Sequence, residues 1–108
     1  MADITEITAD DFSSKVLGNE GLLMVYDYAK WCKPCQELEK IVREVASESK
    51  GQVEFFSVNT DMEEAIVKRQ HIRTIPTLEA VRNGKSIASL RGLPSKEAIL
   101  EKLGGLNT

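Results

Sequence analysis

Segments with strand-like patterns alternate with segments with helix-like patterns, and this alternation constrains the fold more than any other feature of the chain. Short apolar runs rich in β-favouring residues predict strands, whereas apolar residues three and four apart predict helices. Strands are predicted at residues 4–7, 22–29, 53–59, 77–82 and 86–90. Helices are predicted at 8–18, 34–51 and 61–71, and a last helix is capped by Ser95 and ends at Gly104 and Gly105.

This order predicts an α/β protein with a central mixed sheet. Strands that alternate with helices favour a parallel core sheet with helices on both faces. The last two strands flank Asn83-Gly84, a strong signal for a hairpin, and therefore add an antiparallel pair at the C-terminal end. A chain of 108 residues fits one compact domain, so residues 1–108 are expected to form a single domain.

Composition narrows the classes of partner and compartment. The net charge of −3 disfavours binding to nucleic acid, which usually needs a basic face. The N-terminal segment lacks the pattern of a secretory signal, and the apolar run at residues 22–25 is too short to span a bilayer. We therefore expect a cytoplasmic protein with no membrane or nucleic-acid partner. In a reducing compartment, a lone cysteine pair is rarely a structural disulfide.

The chain contains two cysteines, Cys32 and Cys35, in the segment WCKPC where a predicted strand meets a predicted helix. Pro34 is tolerated in a first helical turn, because no backbone donor is needed there. Cys32 then lies at the helix N-terminus, where free N–H groups and the macrodipole stabilise a thiolate and lower the thiol pKa below its usual value of about 8.5. Cys35, one turn further on, is expected to be shielded by the protein.

This asymmetry predicts a thiol–disulfide exchange mechanism. Cys32 attacks a substrate disulfide and forms a mixed disulfide, and Cys35 then attacks the sulfur of Cys32 and releases the reduced substrate. A general base would help Cys35, because a buried thiol ionises reluctantly.

Two interpretations other than a redox-active dithiol are possible for the cysteine pair. The cysteines could be buried structural thiols, although a helix start favours a reactive thiol. Structural zinc needs four ligands, and the chain offers these two cysteines and one histidine, His71, which is expected to be solvated at a helix end. No metal site is predicted.

The motifs along the chain resemble those of the thioredoxin family. WCKPC follows an apolar strand, IPT at residues 75–77 precedes the hairpin with Asn83-Gly84, and Gly92 follows it, in an order that covers nearly the whole chain. The resemblance implies the thioredoxin fold and thiol–disulfide oxidoreductase activity, with Cys32 as nucleophile and Cys35 as resolving thiol.

The resemblance also implies how substrates and electrons arrive. A cis Ile75–Pro76 bond would face the cysteines, and the backbone at Thr74 and Ile75 would bind a substrate chain as an added strand. A flavin-containing thioredoxin reductase would recharge the dithiol, no bound cofactor would be needed, and the protein would act as a monomer. The residues expected to bind substrate are Trp31, Lys33, Pro34, Thr74, Ile75, Pro76 and Gly92.

Several positions depart from the family pattern. Lys33 replaces the usual glycine, and its charge is expected to favour the Cys32 thiolate and to raise the reduction potential relative to a Lys33→Gly variant. The family places a buried aspartate, the base for the resolving cysteine, where this chain has Tyr26. Either a local strand shift brings Asp27 beneath the cysteines, or the usual base is missing, which Ser57 in place of the family's partner lysine favours.

A third departure, Arg91 beside Gly92, suggests a basic rim around the dithiol together with Lys30 and Lys33, which would attract acidic partners. Two alternative functions stay open on the sequence. One is a more oxidising specialised member of the family, which Lys33 favours. The other is a redox-inactive adaptor that binds partners through the same surface.

Overall fold

Five strands form one mixed sheet in the computed structural model, which describes residues 4–49 and 53–106. The strands lie in the spatial order β1-β3-β2-β4-β5. β1, β3 and β2 pair in parallel, whereas β4 pairs antiparallel with β2 and with β5. The predicted α/β class and mixed sheet are therefore confirmed. The strands are β1 (Thr5–Glu6), β2 (Leu23–Tyr28), β3 (Glu54–Asn59), β4 (Thr77–Arg82) and β5 (Lys85–Arg91).

Helices cover both faces of the sheet. They are α1 (Ala9–Phe12), which continues as a π-helical turn over Ser13–Leu17, α2 (Lys33–Glu48), α3 (Glu64–Gln70) and α4 (Lys96–Leu106). One apolar cluster joins the sheet to α2 and α4, and a second joins it to α1 and α3. Within the described part of the chain, no helix combines the length and apolar character that a bilayer crossing requires.

The central strand β2 supplies side chains to both clusters. Met24 and Tyr26 belong to the cluster of α2 and α4, whereas Leu23 and Val25 belong to the cluster of α1 and α3. Successive side chains of a strand point to opposite faces, so a strand covered on both faces is apolar almost throughout. The α2 face of β2 is hereafter the dithiol face, and the α3 face is the far face.

The hairpin between β4 and β5 forms at Asn83 and Gly84, which have positive φ angles of 54° and 77°. Two consecutive positive φ angles are typical of the tight turns that match the twist of paired strands. A Cβ on Gly84 would lie 2.7 Å from the end of the Leu17 side chain, which would have to move, and the positive φ angle favours glycine here independently.

Two of the predicted helix boundaries, the start of α3 and the end of α4, differ from the structure. α3 begins at Glu64 because the amides of Met62 and Glu63 bond to the Asn59 carbonyl and form a turn. Gly104 and Gly105, predicted to end the last helix, lie inside α4. The Arg82 side chain donates a hydrogen bond to the Leu106 carbonyl at 3.2 Å, which stabilises that last turn. The end of the second helix predicted at residue 51 lies outside the described residues.

Candidate active site

Cys32 and Cys35 form a disulfide where the chain passes from β2 into α2. Cys32 is the N-cap residue of α2, and the backbone amide of Cys35 donates a hydrogen bond to its sulfur at 3.2 Å. The helix begins at Lys33, and Pro34 occupies its first turn, where the missing N–H removes no helical bond. The sulfur of Cys32 therefore lies at the positive end of a 16-residue helix.

Both cysteines are well covered in the oxidised protein. The exposed fraction is 5% for Cys32 and 1% for Cys35. Cys35 packs within the apolar cluster of the dithiol face, together with Tyr26 and Leu38. Cys35 is thus shielded, as expected from its place one turn inside the helix.

The segment before β4 lies beside the end of β2 that leads to the cysteines. Asp27 of β2 pairs with Thr77 of β4, and Ile75 packs against the cluster that contains both cysteines. The Ile75–Pro76 peptide is cis, as the family resemblance implied. The Gly92 amide donates to the Pro76 carbonyl at 3.1 Å, with a φ angle of 77° at Gly92.

A hydrogen bond from the Thr77 hydroxyl to the Thr74 carbonyl, 2.6 Å long, closes the turn before β4. Of the residues implied for substrate binding, Thr74, Ile75 and Pro76 before β4 and Gly92 after β5 are therefore held in two segments joined by a backbone hydrogen bond. Each segment adjoins a strand of the same sheet that carries the cysteine pair.

Exposed apolar side chains neighbour the same elements. Trp31 is 71% exposed, and its indole N–H donates to the Asp61 carboxylate at 2.9 Å. Met62, next to Asp61, and Leu93, next to Gly92, are 72% and 47% exposed. Large exposed apolar side chains close together are typical of binding surfaces.

Of these residues, Trp31 is predicted from the sequence, whereas Asp61, Met62 and Leu93 are not. The position of residues 60–62 in the sequence could have indicated Asp61 and Met62, because these residues follow the carboxyl end of β3. β3 is parallel to β2 and adjacent to it, so the segments that follow the two strands lie side by side at the carboxyl ends of the strands.

Tyr26 lies directly beneath the cysteine-bearing turn. Its hydroxyl donates a hydrogen bond to the carbonyl of Cys35, and Ser57 pairs with it on the neighbouring strand. Burial raises the pKa of Tyr26 well above its usual range, and the Glu39 carboxylate raises it further. The phenol is therefore neutral at physiological pH and acts as a hydrogen-bond donor.

A family model described as Thioredoxin matches residues 3–104. The chain belongs to the thioredoxin family. It is 33% identical to the thioredoxin of Rickettsia felis over 88% of this chain and 90% of that protein. It is 30% identical to the thioredoxin of Haemophilus influenzae, over 85% of this chain and 86% of that protein. It is 28% identical to a spinach thioredoxin M-type, chloroplastic, over 95% of this chain and 57% of that protein.

Membership of the thioredoxin family identifies the chemistry of the cysteine pair. Thioredoxins are thiol–disulfide oxidoreductases, and this chain carries two cysteines at the matching spacing, joined as a disulfide. Among residues 4–49 and 53–106, no group of three or more His, Cys, Asp or Glu side chains is arranged to hold a metal ion.

Asp27 does not lie beneath the cysteines as the family's aspartate would. It follows Tyr26 on a strand whose pairing with β3 and β4 is regular, so its side chain points to the far face. The postulated strand shift is therefore absent. On the far face Asp27 is fully buried near Glu79, which is 3% exposed.

The two buried carboxyl groups influence each other. Burial raises the pKa of Asp27, and a hydrogen bond to Glu79 and the charge of Glu79 raise it further. Among the described residues no N–H or hydroxyl group reaches either oxygen of Asp27, so Glu79 is the group with which its carboxyl shares a hydrogen bond. Two carboxyl groups can hydrogen-bond only when one is protonated, so the pair holds a proton well above the usual pH of carboxylate ionisation.

Arg91 also lies on the far face, which overturns the idea of a basic rim that included it. It pairs with Thr77 across the hairpin, on the face opposite the buried Leu78. With Arg73, His71 and Glu79 it lines a polar pocket of about 180 Å³ beside the end of α3. Lys30 and Lys33 are exposed and lie close to Cys32 in the sequence. Of the three residues expected to form the basic rim, only these two are adjacent to the dithiol in the chain.

Proposed function

We propose that this protein reduces disulfide bonds of other proteins, with Cys32 as nucleophile and Cys35 as resolving thiol. The observation that carries the proposal is the position of the cysteine pair at the N-terminus of α2, directly after β2. The Ile75–Pro76 segment directly precedes β4, the strand that pairs with β2. A thiolate at Cys32 would accept the hydrogen bond from the Cys35 amide, and the positive end of the helix dipole would stabilise its negative charge.

The reaction proceeds in two exchange steps. The Cys32 thiolate attacks one sulfur of the substrate disulfide, forms a mixed disulfide and expels the other substrate sulfur as a thiolate. The Cys35 thiolate then attacks the sulfur of Cys32, closes the intramolecular disulfide and expels the second substrate sulfur. Two electrons pass from the dithiol to the substrate, and the substrate thiolates take up protons from solvent.

Substrate binding uses both backbone and apolar contacts. An extended substrate chain would pair with the backbone at Thr74 and Ile75 as an added strand. Trp31, Met62 and Leu93 supply exposed apolar surface for the flanking substrate side chains. The remaining residues of the proposed binding surface are Lys33, Pro34, Pro76 and Gly92.

The setting of the reaction follows the family. We propose that the dithiol needs no bound cofactor and that a flavin-containing thioredoxin reductase reduces it again. A single domain over residues 1–108, acting as a monomer, is supported by one continuous sheet and by the family match over residues 3–104. We propose a cytoplasmic location by analogy with the bacterial thioredoxins that the chain resembles, whereas one relative is named as chloroplastic.

Reduction of insulin by dithiothreitol, with and without the protein, tests this proposal. The wild-type protein should accelerate the reaction, and Cys32→Ser should reduce the rate to the uncatalysed background. Cys35→Ser should accumulate a mixed disulfide with the substrate through Cys32, which mass spectrometry identifies. Equal rates for wild type and Cys32→Ser, or no acceleration by either, would favour the redox-inactive adaptor instead.

A further inference from the structure

The resolving step raises the question of where the proton of Cys35 goes. Cys35 is 1% exposed in the oxidised protein, and a thiol in apolar surroundings ionises reluctantly. Tyr26 lies beneath it as a neutral donor, so the phenol offers no basic oxygen anion near neutral pH. Asp27 lies across the sheet, on the far face, and is separated from Cys35 by the strand itself.

A polar pocket of about 150 Å³ lies beneath α2, next to Tyr26. This volume is sufficient for water, and the lining offers several polar partners. Tyr26, which lines the pocket, donates its hydroxyl hydrogen bond to the Cys35 carbonyl, and exposed Arg43 lines the same pocket. The pocket is lined by Ile4, Glu6, Tyr26, Tyr28, Glu39, Arg43 and Ser57.

Glu39 is the carboxylate of this pocket that lies nearest to Cys35 along α2. Residues four apart in a helix are neighbours on one face, so Glu39 lies one turn below Cys35. Its side chain is 40% exposed and pairs with Arg43 at 3.1 Å. Glu39 lines the pocket together with Tyr26 and Tyr28, and its charge raises the pKa of both phenols.

The other titratable and charged groups of the pocket are less suited to the role. Glu6, on β1, accepts a hydrogen bond from the Tyr28 hydroxyl. Tyr28 is neutral because burial and Glu6 raise its pKa. Arg43, on α2, is a cation and accepts no proton. Ser57, on β3, is uncharged.

We propose that Glu39 accepts the proton of the Cys35 thiol, through water in the pocket next to Tyr26, during the resolving step. This inference rests on the proposed disulfide exchange. The S–H bond of Cys35 breaks and its proton passes to the Glu39 carboxylate. The sulfur then bonds to Cys32 as the bond between Cys32 and the substrate breaks. Glu39 returns its proton to solvent, so the carboxylate is unchanged after one turnover.

The test separates the two exchange steps. The reduced protein is mixed in a stopped-flow instrument with an aromatic disulfide that releases one coloured thiolate in each step. In Glu39→Gln, the first phase should match wild type, and the second phase should slow by about a hundredfold at neutral pH, the lower end of the range for general bases, because the proton passes through water. The second-phase rate of the variant should also rise in proportion to hydroxide, whereas that of wild type should not.

Two further variants keep the result decisive. Glu37→Gln removes an exposed charge from the same helix outside the pocket, and both phases should match wild type. Glu39→Asp retains a carboxylate and should recover part of the second-phase rate. If Glu39→Gln shows the second-phase rate and pH profile of wild type, the inference is wrong while the proposed function stands. If wild type gives no first phase, the proposed function itself fails.

Discussion

Tyr26 and Asp27 are consecutive residues of β2, yet they lie in opposite chemical environments. On the dithiol face, Tyr26 donates a hydrogen bond to Cys35 and pairs with the uncharged Ser57. On the far face, Asp27 is buried beside Glu79, and within the described part of the chain no N–H or hydroxyl group reaches either Asp27 oxygen. β2 thus presents no charged side chain beneath the cysteines, whereas the far face buries two carboxyl groups.

The comparison indicates that the family's acidic group has not simply moved one position along the strand. A step of one residue reverses the direction of a side chain, so Asp27 cannot replace an acid at position 26. Carboxylate chemistry on the dithiol face comes instead from helix α2, through Glu39. β2 contributes the neutral hydroxyl of Tyr26 to the dithiol face, whereas its acidic residue, Asp27, lies on the far face.

The largest effect is expected from Asp27→Asn on the far face. Asparagine keeps the shape of the side chain and donates to Glu79 at every pH, whereas Asp27 must hold a proton to do so. The variant should therefore be more stable than wild type at neutral pH by up to about 3 kcal/mol, the upper end for a hydrogen bond to a charged group. Urea unfolding of the oxidised proteins measures the difference.

The same substitution has a defined pH dependence. The folded-state pKa of Asp27 is raised above its model value of 3.8, so folded wild type binds more protons than the unfolded chain above that pH. Wild-type stability therefore falls as pH rises from about 4, and the advantage of Asp27→Asn grows in the same direction. Asp10→Asn, at an exposed position, is the control. An advantage that is constant with pH would contradict the raised pKa.

A smaller effect is expected from Tyr26→Phe on the dithiol face. The variant loses the hydrogen bond to the Cys35 carbonyl within a buried site and should be less stable by about 1 kcal/mol. Tyr28→Phe is the matched control, because both variants keep the stacked rings, whose centroids lie 5.3 Å apart. Tyr28 bonds to the exposed Glu6, so its loss should cost less than about 0.5 kcal/mol. Equal costs would show that the two hydroxyls are equivalent.

The smallest effect concerns the exposed cations. Lys33→Gln removes a charge beside Cys32 and should lower the reduction potential by about 10 mV, because the reduced form loses an attraction that solvent already screens. Arg91→Gln removes one charge from the far face and should leave the potential unchanged. Equilibration of each oxidised protein with glutathione measures both values. A similar decrease in the two variants would remove the distinction between the faces.

Local patterns in the sequence were sufficient for much of the fold. The junction of β2 and α2 at WCKPC and the hairpin at Asn83-Gly84 depend on residues that are adjacent in the chain, and both are present. Gly104 and Gly105 were misjudged because Leu103 is buried against the sheet and Arg82 bonds to the Leu106 carbonyl, so tertiary contacts outweigh the low helix propensity of glycine.

The site was harder to predict where its chemistry depends on which face a side chain occupies. Arg91 is adjacent to Gly92 in sequence, but its pairing with Thr77 directs it to the far face. Asp27 depends in the same way on its pairing with neighbouring strands. Glu39 was not singled out because nothing in the helical pattern shows that a pocket lies beneath it. Prediction of the faces of Arg91 and Asp27 requires the register between strands, and prediction of the pocket at Glu39 requires the packing of α2 on the sheet. Both depend on contacts between distant parts of the chain.

The two edges of the sheet have a consequence for selectivity. β1 has only two residues, and β5, at the other edge, carries Lys85 and Arg91 at its ends. Short and charged edge strands discourage pairing between copies of a protein, and so limit aggregation. The backbone before Pro76, where we propose that a substrate chain binds, belongs to neither edge strand. The edges that are protected against self-assembly are thus separate from the backbone proposed to bind substrates.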